Sequence, residues 1–327
     1  MNGRTQGKAT ETASHAGHVD TAGSMASAAG RYLAPSGKSA ASENFPVGSR
    51  LIAAALRPHV ANYYAWARAI DDIADHPHLS ADEKLRRLDA LELALAGALG
   101  RNDPELAVAW RLRETLLATG VPFVTATDLL SAFRQDVEKR RYETWAELMD
   151  YCDRSAAPVG RFLLHLHGET DERAIAASDA LCRALQVINH LQDCRTDYLE
   201  LDRIYLPQAF MRRHGARDEM LAAPACPPPL RAAIDDCLEG TRHLMITARQ
   251  LPARLGSRRL AMEAAAIVRI ADALVRRLSR QDPLARRVRL SGAGYVACIL
   301  GGMLDGLFTR RRIDRGSGTA DDREATS

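Results

Sequence analysis

"NYYAWARAIDDIAD", Asn62 to Asp75, decides how the rest of the chain is read. Its tyrosines, tryptophan, alanines and isoleucines predict a buried helix, yet it carries one arginine and three aspartates. Residues four apart share a helix face, so Asp71 and Asp75 stack, and Arg68 and Tyr64 continue the row. Asp72 points about 100° away. A second stretch repeats the pattern: "QVINHLQDCRTDYLELDRIYLP", Gln186 to Pro207. There Asp193 and Asp197 stack, with Asn189 one turn earlier and Gln186 near the same row. A lone acidic pair at this spacing is ordinarily solvated surface, as expected for Glu83 beside Arg86 and Arg87. Two such pairs, one in an otherwise apolar helix, predict stripes that face inward.

Carboxylates from two facing helices make an oxygen-rich cage. Oxygen ligands select hard cations, and Mg²⁺ takes one or two carboxylates together with phosphate oxygens and water. That chemistry suits departure of a diphosphate, whose charge the metal neutralises as a carbon–oxygen bond breaks. The carbocation left behind needs a dry, aromatic pocket. Phe45, Tyr64, Trp66, Tyr151 and Phe162 are the candidates for its lining.

Composition narrows the class. The chain has 327 residues, 46% hydrophobic and 5% aromatic, with a formal charge of +3. This balance does not point to nucleic acid. Arginines crowd the region from Arg254 to Arg289, which reads either as a solvated helix face or as a surface for anionic lipid headgroups or phosphates. The six cysteines form no CxxC pair and fit a reduced, cytoplasmic protein. His165 and His167 fall on different sides of a helix, so no metal role is expected of them. No signal peptide is predicted. The late apolar run "GYVACILGGMLDGLF" is shorter than the roughly 20 residues a bilayer requires, and it contains Asp305. It predicts a packed helix with at most transient, peripheral contact at the inner membrane surface.

Residues 1–41 hold almost no large apolar side chain and are expected to be disordered, as is the tail 310–327. Residues 42–309 predict one all-α catalytic unit, because strong helix formers dominate and alternating strand patterns are absent. Ser80 with Glu83 predicts a capping box, and that helix is expected to close at Gly100. Pro104 marks another first turn, a break is expected near Pro158 and Gly160, and Asp171 to Asp202 reads as one long helix.

These residues resemble the squalene and phytoene synthase family over about Ser42 to Leu307. "ARAIDDIAD" is similar to the family's first aspartate-rich motif, Gln186 to Pro207 to its second, and "YCDRSAAPVG" to its central segment, with Tyr151 at the active-site tyrosine. The resemblance implies an isoprenoid synthase-type bundle of antiparallel helices around a central hydrophobic cavity, with Mg²⁺, more than one ion, at its mouth. "SENFPVGS", Ser42 to Ser49, resembles the hydroxysqualene synthase branch of bacterial hopanoid biosynthesis. That branch eliminates diphosphate from presqualene diphosphate and captures the cation with water, as a carbon–oxygen lyase that consumes no NADPH. The alternatives are a condensing squalene or phytoene synthase, which is a prenyltransferase using two prenyl diphosphates, and a non-catalytic helical binding protein. Gln192 stands where family members often carry arginine, which favours a substrate with a single diphosphate.

The resemblance also distributes roles. Asp71, Asp72, Asp75, Asp193 and Asp197 are the expected metal ligands. Tyr151, Tyr64 and Arg68 are the expected catalytic residues, with Arg68 as a diphosphate clamp through its planar fork. Phe45, Ser49, Gln186, Asn189, Arg203 and Tyr205 complete the expected substrate and diphosphate contacts.

Overall fold

The structure is a computed structural model that describes residues 52–317, with side chains through residue 306. Phe45 and Ser49, the segment 1–41 and residues 318–327 lie outside the described residues. Helix α1 spans Arg57–Ala74, with a proline in its first turn, where the missing N–H costs nothing. Helix α2 spans Ala81–Ala96; the Ser80 side chain accepts from the Glu83 N–H, as the sequence predicts. It ends three residues before Gly100, at Gly97, whose φ of 84° is the left-handed conformation that closes the helix. A short turn capped by Asp103 leads into α3, Ala107–Thr119. Helix α4 spans Val124–Glu138, and α5 spans Trp145–Ser155.

The break predicted near Pro158 falls at Ala156, between α5 and α6, Ala157–Leu166. Pro158 sits in the first turn of α6. A Cβ on Gly160 would collide with Ser178 and Cys182, so glycine is what lets α6 approach the next helix closely. That helix, α7, runs unbroken over Glu172–Leu201 behind an Asp171 cap. It is followed by α8, Gln208–His214, α9, Pro228–Ala248, α10, Leu251–Arg254, α11, Arg258–Leu278, and α12, Gly292–Ser317. Helix α12 crosses the boundary expected at 309. Among the described residues the extended pairing is one bridge, Arg141 with Ile204.

The core divides in two. One cluster joins α1 to α4 through Trp66, Ile70, Ile73, Leu91 and Leu112. The other joins α7, α9 and α11 through Ile188, Ile234, Leu238 and Leu274. Helix α4 serves both, with Val137 in the first cluster and Ala132 in the second. Helix α12 packs backbone against backbone on α11: a Cβ on Gly306 would lie 2.9 Å from the Met262 Cα, and one on Gly302 would strike Ala266. This explains Gly302 and Gly306 of the late apolar run. Val296, Leu300 and Leu304 face outward and are more than half exposed. Among the described residues no helix is long and apolar enough to cross a membrane.

Candidate active site

Arginines hold carboxylates of both acidic stretches. Arg68 forks across the first: Nη1 donates to Asp71 Oδ2 and Nη2 to Asp72 Oδ1, each at 2.7 Å. Spacings of three and four residues bring both carboxylates under one guanidinium. Tyr64 lies one turn before Arg68 on this helix and is half-buried. Asp75, at the end of α1, bonds elsewhere: Arg203 Nη1 donates to its Oδ1 at 3.1 Å.

Arg203 reaches Asp75 because α7 stops abruptly. Asp202 adopts φ +50°, a left-handed conformation unusual for a residue with a side chain, and Arg141 grips its carboxylate at 2.7 Å. The chain then turns back. The Arg203 N–H donates to the Asp197 carbonyl at 3.0 Å, and Ile204 pairs with Arg140 at 2.9 Å. Arg203 therefore spans from the second stripe to the first. It is 4% exposed. Its Nη2 also donates to the Asp136 carbonyl at 2.9 Å and its Nη1 to the Tyr205 hydroxyl at 3.2 Å.

Asp136, on α4, is the hub beneath it. Its carboxylate accepts from the Tyr151 hydroxyl at 2.7 Å and from the Tyr205 hydroxyl at 3.1 Å. His190 stacks on Tyr205 with centroids 3.5 Å apart. Burial pushes the Asp136 carboxyl up to about 6, against the pull of Arg203 and the Tyr151 hydrogen bond. Burial, with Arg203 nearby, pushes His190 down to about 3, so its ring is neutral. Burial and the Asp136 charge raise both phenols well above their ordinary range.

The raised Asp136 value has a signed consequence. The folded state binds a proton that the unfolded chain, with its carboxyl near 3.9, has released by the pH at which the folded group titrates. The stabilisation is full below about pH 4 and is lost as pH rises through about 6. Other carboxylates titrate in the same window, so the wild type is compared with Asp136→Asn. The wild-type minus variant stability, from chemical denaturation, should fall between pH 4 and pH 6 and be flat above; a flat difference throughout removes Asp136 as the titrating group.

On the second stripe Asp193 is gripped by Arg287, whose Nη2 donates to Asp193 Oδ2 at 2.7 Å. Asp197 lies one turn on, and its charge adds to the upward push on Tyr205. Gln186 and Asn189, both half-buried, continue the stripe toward the start of α7.

Two expectations change. Trp66 and Phe162 do not line a pocket: both are fully buried in the first core cluster, and Phe162 stacks on Tyr63 at 4.0 Å. Trp66 is two residues from Tyr64, which puts it on the other side of the helix. Arg203 and Tyr205 are buried and hydrogen-bond to Asp75 and Asp136 inside the protein. Gln192 is buried and donates to the Val288 carbonyl. Two pockets of about 440 and 510 Å³, lined by residues such as Asp272 and Arg276, and Arg183 and His243, lie away from both stripes. Asp136, His190 and Arg287 were not singled out by the sequence reading. The first two have no periodic signature, and the third sits in an arginine-rich run.

Among the described residues no three His, Cys, Asp or Glu side chains converge on one point as they stand. The donors are nonetheless all oxygens, of the type a hard divalent cation takes. Arg68, Asp71, Asp72, Asp193 and Arg287 keep roughly a fifth to a third of their side-chain surface exposed, so these pairs can exchange partners.

The family model for squalene/phytoene synthase matches residues 38–293. A hydroxysqualene synthase of Rhodopseudomonas palustris is 42% identical over 275 residues, 84% of this chain and 92% of that protein. One from Zymomonas mobilis is 42% identical over 77% of this chain and 84% of its own length. The crystal structure of the squalene synthase HpnC from Alicyclobacillus acidocaldarius superposes with a TM-score of 0.63 at 31% identity, covering 72% of this chain and 87% of that one. By the extent of these matches the chain belongs to the squalene/phytoene synthase family.

Proposed function

We propose that this enzyme is a hydroxysqualene synthase, converting presqualene diphosphate and water to hydroxysqualene and diphosphate. The observation that carries the reading is Arg203, one residue whose backbone bonds the second stripe and whose side chain bonds the first. The identity of about 42% to hydroxysqualene synthases over most of the chain supports this branch over the condensing one.

Asp71, Asp72, Asp75, Asp193 and Asp197 would hold Mg²⁺, more than one ion, which when bound supplies charge neutralisation for the leaving diphosphate. Arg68 and Arg287 already sit on the outer carboxylates and are placed to transfer to diphosphate oxygens, where a planar guanidinium binds in a fork. Asn189 and Gln186 extend the same stripe toward the substrate. Tyr64 lines the approach. Tyr151 and Tyr205, fixed by Asp136, form a buried aromatic layer with Tyr142 and His190 beneath the arginine. Phe45 and Ser49 are assigned to the entrance by resemblance alone. Six free thiols favour a reducing, cytoplasmic setting, and the outward row Val296, Leu300 and Leu304 suits transient contact with a membrane surface carrying the greasy substrate.

The test is an assay of the purified protein with Mg²⁺ and presqualene diphosphate, without NADPH. A C30 alcohol is the expected product. Efficient consumption of farnesyl diphosphate alone, with no alcohol from presqualene diphosphate, would replace this reading by a condensing synthase.

A further inference from the structure

We propose that Gln192 is a positioning residue for diphosphate recognition, acting through Arg287. The inference rests on the reading above that Arg287 binds the diphosphate.

Gln192 is 3% exposed, and its side-chain amide donates to the carbonyl of Val288, itself fully buried. Val288 follows Arg287 in the chain, and Asp193 follows Gln192. Two adjacent residues of α7 thus grip two adjacent residues of the segment between α11 and α12: one holds backbone, the other holds the guanidinium. That segment has no helix to stiffen it, so its shape comes from side chains. Asp282 accepts from the N–H groups of Leu284 at 2.8 Å and Cys226 at 2.8 Å. Arg195, on α7, donates to the Leu284 carbonyl at 3.2 Å, and Arg277 to the Arg289 carbonyl at 2.9 Å. Gln192 is the fastening nearest Arg287.

The consequence is entropic. Arginine loses much rotamer freedom when it is fixed on a ligand, and a mobile backbone beneath it adds to that loss. Holding Val288 pre-sets where the Arg287 side chain starts. A buried amide that donates to a buried carbonyl is also costly to lose, because the carbonyl is then left without its partner. Gln192 therefore influences phosphate binding although its own side chain points at backbone.

The experiment is a double-mutant cycle on the full chain, read as the affinity for inorganic diphosphate with Mg²⁺ by titration calorimetry and as KM and kcat for presqualene diphosphate. Arg287→Gln should weaken diphosphate binding roughly 30-fold. Gln192→Met, which keeps volume and removes the donor, should weaken it about fivefold or more and raise KM more than it lowers kcat. The double variant should bind within about twofold of Arg287→Gln alone, since one residue works through the other. Gln192→Leu provides a second removal of the donor. Wild-type affinity in both Gln192 variants, or a double variant whose losses simply multiply, overturns the proposal. So does failure of both Gln192 variants to fold, which would make the contact a support of the fold alone. An unchanged affinity in Arg287→Gln instead removes the reading on which the proposal stands.

Discussion

Asp193→Asn should lower turnover of presqualene diphosphate by about 10³-fold while leaving the thermal midpoint close to that of the wild type. The two side chains have the same shape, and Asp193 is about 29% exposed, so the change removes charge and little else. That charge serves twice. In the unliganded protein it holds Arg287 at 2.7 Å. During the reaction it would hold part of the divalent charge that stabilises the departing diphosphate. Preorganised electrostatic stabilisation of a leaving group is commonly the largest catalytic contribution, and loss of one such group costs about 10²–10³-fold. The measurement is kcat by diphosphate release, with Asp150→Asn as control. Asp150 is also paired with an arginine, Arg154 at 2.8 Å, but it is exposed and outside both stripes. Activity within tenfold of wild type in Asp193→Asn would remove the second stripe from the chemistry.

The second large effect is on stability. Arg203→Met should destabilise the fold by about 3–5 kcal/mol, because removing one partner of a buried ionic network strands the others. Arg203 is 4% exposed, Asp136 2%. Without the guanidinium, the Asp136 carbonyl and the Asp75 carboxylate each lose a donor. Methionine fills the volume, so the deficit is electrostatic rather than a cavity. For a chain of this size the loss corresponds to a fall of about 5–9 °C in thermal midpoint. A drop of only a degree or two would mean that water or another cation takes the place of the arginine. The variant also tests the expected role of Arg203: a side chain serving only as a diphosphate contact would lose affinity without losing stability.

Much of this architecture was legible in the chain. Helical spacing put Arg68 within reach of Asp71, three residues on, because period is a local property. Ser80 and Asp171 announced helix starts through the hydrogen bonds their short side chains make. The interior of the site was not legible, and the reason is physical. Asp136 lies in "FRQDVEKRRY", a stretch as polar as any solvated helix end, and only the arrival of Tyr151, Tyr205 and Arg203 from distant positions buries it. Arg287 is one arginine among many between Arg254 and Arg289. What sets it apart is its pairing with Asp193 on a distant helix, which composition does not encode. Trp66 and Phe162 erred in the opposite direction: aromaticity suggested a pocket wall, whereas packing between α1 and α6 made them core.

The arginine pairs differ in depth, and dissolved electrolyte feels that difference. Arg68 and Arg287, about 18% and 26% exposed, lie within reach of mobile counter-ions, whereas Arg203 and Asp75, about 5% and 11%, are shielded from them. Raising salt from tens to hundreds of millimolar shortens the screening length toward molecular contact distances. It therefore loosens the outer clasps and leaves the inner rivet fastened, so a saline medium relaxes the mouth of the enzyme without parting its two half-cores.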